Sequence, residues 1–72
     1  MIRITLKAAR INAGLSQKEV AMILRVSNKT ISSWEKGYTF PPADKICTLC
    51  KLYGVSYDDI IFLSNNSLIA NV

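Results

Sequence analysis

The chain has 72 residues, half of them apolar, a formal charge of +4 and no histidine. That length holds one domain, close to the smallest that a single core supports without staples, and the apolar share excludes a disordered chain. No unbroken apolar run approaches the length that spans a bilayer, and the N-terminus lacks the apolar stretch of a signal peptide, so a cytoplasmic protein with no membrane partner is expected. The charge is uneven. Residues 1–36 carry seven basic side chains against Glu19 and Glu35, net +5, whereas residues 37–72 carry Lys45 and Lys51 against Asp44, Asp58 and Asp59, net −1. A polyanionic partner for the N-terminal half accounts for that asymmetry, and a solvated basic face is the blander reading.

Taken in order, residues 4–12, ITLKAARIN, are read as an opening helix with Leu6, Ala9 and Ile11 inward, and Gly14 as its stop. Leu15 is placed to act as a hydrophobic staple against Val20. Ser16 starts a second helix, because its hydroxyl can accept from the free N–H groups of the first turn while Glu19 reaches back to the cap. Val20, Ala21 and Leu24 make its apolar stripe; Gln17, Lys18 and Arg25 fall outside it. Ser27 offers another N-cap, Ile31 and Trp34 an i, i+3 apolar pair, and Gly37 the left-handed residue that ends the third helix. The other face of that helix carries Asn28, Lys29, Thr30, Ser32, Ser33 and Lys36, all able to hydrogen-bond and none acidic. Two capped helices this close form a helix-turn-helix, and the polar face suits a groove of phosphates and base edges.

Downstream, Pro41 and Pro42 break the chain and open a fourth helix from about residue 42 to Tyr53, closed by Gly54. Ser56 and Asp59 repeat the capping pattern and predict a short fifth helix through about Leu63. The expected fold is therefore all-α, a compact five-helix bundle with no room for a sheet. Its predicted core is Leu6, Leu15, Val20, Ala21, Leu24, Val26, Ile31, Trp34, Ile46, Leu49, Tyr53, Val55 and Ile60. Residues 1–63 make the domain. Residues 64–72 form a tail without helical period, either frayed or a dimer contact through Leu68, Ile69 and Val72 together with Leu52, Phe62 and Leu63.

Cys47 and Cys50 form C-x-x-C, but with no histidine and no further cysteine the chain lacks two ligands of a tetrahedral zinc site. Cys50 falls in the apolar series of its helix, and both thiols are expected to be buried and reduced. No metal and no cofactor is implied. Neither a Gly-rich phosphate loop nor a clustered carboxylate pair is present, which argues against an enzyme.

The pattern S-Q-x-E-V-A at residues 16–21, followed by V-S-x-x-T-I-S-x-W-E-x-G at 26–37, resembles the phage repressor and Cro type of DNA-binding domain, the XRE family. The resemblance runs from about residue 5 to 63 and includes P-x-x-x-K-I-x-x-L-C-x-x-Y-G-V-S-Y-D-D-I-I. It implies that the helix 28–36 enters the major groove of double-stranded DNA while the preceding helix crosses the backbone. Asn28 and Lys29, with Ser32 and Ser33, then occupy the positions that meet base edges, and Gln17, Lys18, Arg25, Thr30 and Lys36 are the expected phosphate contacts. Arg10 and Glu35 match a pair that bridges the first helix to the recognition helix in this family. Trp34 fits the family's core position better than a base-stacking one. The chain departs from the pattern at Arg25, where many relatives carry glycine; an arginine at positive φ costs on the order of 1 kcal/mol.

The reading is a sequence-specific, non-catalytic transcriptional regulator, expected to be a repressor of phage or bacterial type, acting as a homodimer on an operator with no small-molecule ligand implied. An antitoxin-like protein-interaction module on the same fold is the alternative.

Overall fold

A computed structural model describes residues 3–63. In chain order these form β1 (Ile4–Thr5), α1 (Leu6–Asn12), α2 (Gln17–Leu24), α3 (Asn28–Lys36), α4 (Ala43–Tyr53), a single 3₁₀ turn (Tyr57–Asp59) and β2 (Ile60–Ile61). Among the described residues the helices number four where five were expected, and a small sheet is present where none was.

Both corrections have one origin. Ile4 and Thr5 pair in parallel with Ile60 and Ile61, so the segments expected to begin the first helix and continue the fifth are instead extended and share a ladder. Three of these four residues are isoleucine and the other is threonine, all β-branched and suited to a pleated surface. Thr5 then caps α1, its Oγ1 accepting from the Ala8 N–H at 3.2 Å. At the other end the Asp59 carboxylate accepts from the Ser56 N–H at 3.4 Å and from its hydroxyl at 3.1 Å, and the turn stops after three residues as Ile60 goes extended.

Elsewhere the local signals hold. Ser16 and Glu19 form a complete capping box, with the Glu19 N–H on Ser16 Oγ at 3.0 Å and the Ser16 N–H on Glu19 Oε1 at 2.8 Å. Ser27 caps α3, Gly37 closes it at φ 82°, and Pro42 precedes α4 as its cap residue. Leu6, Ala9, Val20, Ala21, Leu24, Ile31, Trp34, Leu49, Tyr53 and Ile60 form the buried core, with Leu15, Val26 and Val55 packed against its rim. Ile46 is only half-buried and Ile11, expected inward, is exposed. Leu52 and Phe62 pack against the core of the same chain. No helix among the described residues is long and apolar enough to cross a membrane.

Candidate nucleic-acid interface

The turn between α2 and α3 sets how the polar face of α3 is presented. Arg25 adopts the left-handed conformation, φ 59° and ψ 43°, and is the only non-glycine at positive φ among the described residues. The Val26 N–H then reaches back to the Ala21 carbonyl at 3.0 Å, which closes α2 and reverses the chain within two residues. Lys45, on α4, donates from Nζ to the Leu24 carbonyl at 3.1 Å. A cation thereby meets the negative end of α2 and one of its unpaired carbonyls.

On α3, Ile31, Trp34 and Glu35 point inward, and the positions 28, 29, 32, 33 and 36 fall on one continuous arc of about 140° at helical spacing. Asn28, Lys29 and Lys36 are exposed; Ser32 and Ser33 are half-exposed. Thr30 lies outside that arc, and its hydroxyl is turned onto Ser27 Oγ at 2.9 Å. Ser33 is likewise engaged, its hydroxyl 2.8 Å from Thr39 Oγ1. Of the residues assigned to base edges and phosphates, the fold thus gathers Asn28, Lys29, Ser32, Ser33 and Lys36 on one surface. Lys18 and Arg25 are exposed on α2 and its turn.

Behind this face stands a buried ion pair. Arg10 Nε donates to Glu35 Oε2 at 2.8 Å and Nη2 to Oε1 at 3.4 Å, with Arg10 9% and Glu35 8% exposed. The Arg10 Nη1 also donates to the Leu15 carbonyl at 2.8 Å, so the guanidinium ties α1 to the start of α2 and to α3 at once. The hydrogen bond and attraction to Glu35 raise the Arg10 pKa against the opposing effect of burial. Gln17 donates from Nε2 to Glu35 Oε1 at 3.0 Å, and its Oε1 lies 3.5 Å from Asn28 Nδ2. Sequence reasoning placed Gln17 at a phosphate and did not foresee this bond to Glu35. Nor did it assign a role to Thr39, or to Lys45 beyond its place in the quoted P-x-x-x-K-I pattern, because the partner of each lies in another element.

Residues 6–60 match the family model described as helix-turn-helix. The chain belongs to the helix-turn-helix family. It is also 41% identical over 56 residues to the HTH-type transcriptional regulator ImmR of Bacillus subtilis (strain 168), a match covering 78% of this chain and 44% of that relative. This helix-turn-helix chain thus spans less than half the length of the regulator it resembles.

Proposed function

We propose that this helix-turn-helix chain is a sequence-specific DNA-binding transcriptional regulator that acts as a repressor, with α3 in the major groove. The observation that carries this reading is the α3 face: exposed, acid-free, rich in donors and acceptors, and pinned from behind by the Arg10–Glu35–Gln17 cluster. In the groove, the Asn28 amide suits the N6/N7 edge of adenine and the Lys29 ammonium the O6/N7 edge of guanine, with Ser32 and Ser33 closer to the helix surface. Lys36, at the C-terminal end of that face, and Lys18 and Arg25 beside it are the phosphate contacts. Gln17 still has one amide hydrogen beyond its bond to Glu35 and sits in the first turn of α2, where a phosphate meets the free N–H groups and the positive helix end. Thr30 is the weaker phosphate candidate, since its hydroxyl is held by Ser27.

One helix of this length covers only about four or five base pairs, too few for a unique address among the millions of sites in a bacterial genome, so two copies on a two-fold operator are the economical solution. The tail assigned to that contact, with Leu68, Ile69 and Val72, lies outside the described residues. Selection of binding sites from random duplex DNA tests the whole reading. A palindromic consensus with half-sites one helical turn apart is expected; recovery of unselected sequence overturns it. Sedimentation of the chain on a selected site then separates one copy from two.

A further inference from the structure

Two thiols lie on α4, away from the α3 face. Cys47 and Cys50 were expected to be buried; instead Cys47 is exposed, Cys50 is half-buried, and both are free. The inward stripe of α4 runs through Leu49 and Tyr53, which turns Cys47 toward solvent. Both cysteines line an apolar groove of about 760 Å³ with Phe40, Pro41, Ile46 and Lys51.

We propose that this pair binds one soft, two-coordinate cation of the Cu(I) class, held between the two thiolates. At i, i+3 on a helix the Cβ atoms stand about 5–6 Å apart, too far for the roughly 3.5–4.5 Å that a relaxed disulfide requires. Two metal–thiolate bonds of roughly 2.3 Å, the length found with zinc, need the sulfurs no more than about 4.6 Å apart, which side chains rising from Cβ atoms about 5–6 Å apart can reach by rotation about χ1. Ligand number points the same way. The described residues contain no group of three or more His, Cys, Asp or Glu side chains able to hold a metal, which leaves zinc short of ligands, whereas two thiolates complete a linear Cu(I) site.

Charge is balanced locally. Binding releases one proton from each thiol, transfers no electron, and leaves a bis-thiolate complex of net charge −1. Lys51 lies one turn beyond Cys47 and lines the same groove, where its ammonium offsets that charge.

The test is a titration of the reduced full chain, without oxygen, by Cu(I) held on a bicinchoninate chelator. One Cu(I) per chain is expected, with at least a 100-fold loss of affinity in Cys47→Ser and in Cys50→Ser, and a smaller loss in Lys51→Met. Because the site belongs to the folded helix, bound Cu(I) should also raise the thermal midpoint. Full affinity in either serine variant, one ion per two chains, or no rise in the midpoint would overturn the proposal. So would an internal disulfide, seen as a loss of 2 Da under mild oxidation. DNA binding by the metal-free variants should match the parent, since neither thiol lies on the α3 face.

Discussion

Glu35 accepts the Gln17 side-chain amide at 3.0 Å while it holds Arg10 at 2.8 Å, so one buried carboxylate joins α1, the start of α2 and the end of α3. This arrangement fixes where α3 sits relative to α2. Its net contribution to stability is small after desolvation, but breaking it from one side is not. Glu35→Ala leaves a buried guanidinium with only the Leu15 carbonyl, and a loss of about 3 kcal/mol is expected in urea unfolding. Replacing both partners, Arg10→Met with Glu35→Leu, should recover most of that loss. Equal destabilisation by the single and double changes would show that the pair is not the source.

Base reading is expected from the first turn of α3. Asn28→Ala and Lys29→Ala should each relax the preference at one or two operator positions, with roughly 1–3 kcal/mol of discrimination lost. Lys36→Ala should instead weaken every sequence alike and reduce the slope of log K against log salt by about 0.9. An unchanged consensus from the Asn28/Lys29 double variant contradicts the assignment.

The α2–α3 turn holds two opposing contributions that substitution can separate. Arg25→Gly relieves the left-handed strain and should stabilise the fold by up to about 1 kcal/mol, while removing a proposed phosphate contact and weakening DNA binding. Lys45→Met keeps the aliphatic stem but loses the bond to the Leu24 carbonyl, and about 1 kcal/mol of stability is expected to go with it. Denaturation midpoints of both variants, set beside their operator affinities, check the pair. A destabilised Arg25→Gly would mean that the arginine makes a contact worth more than the strain.

Alkaline pH should loosen the domain through Tyr53. Its phenol is pushed up to about 12, mainly by burial and then by the charge of Glu35, with Arg10 acting the other way. A folded-state pKa above the unfolded value of about 10 means that the native state holds this proton more tightly. The corresponding stability is complete below about pH 10 and is lost as pH rises from there toward 12. Chemical denaturation across that window should show a falling stability that Tyr53→Phe flattens. The same slope in the variant would assign the effect to another group.

The caps of α2 and α3 and the glycines that close α3 and α4 were legible in the sequence, whereas the Thr5 cap of α1 was not. The Ser16–Glu19 box, the Ser27 cap and the closing glycines Gly37 and Gly54 appear where cap chemistry demanded them, because a helix end recruits donors and acceptors from its own turn. The left-handed turn at Arg25 and the Arg10–Glu35 pair were visible only through the family pattern, not through spacing. Other features depended on segments far apart in the chain. Ile4 fits the apolar period of a helix as well as it fits a strand, and only the arrival of Ile60 beside it settles the choice in favour of the ladder. Gln17 is a surface amide by pattern, yet packing of α2 against α3 brings it within 3.0 Å of Glu35. Lys45 meets Leu24, and Cys47 meets solvent, because α4 turns Leu49 and Tyr53 into the shared core. Local sequence determines the ends and faces of the helices. The orientation of each face, and which polar groups it meets, is decided by the joint packing of all the helices around Val20, Ile31 and Leu49, the largest fully buried side chains.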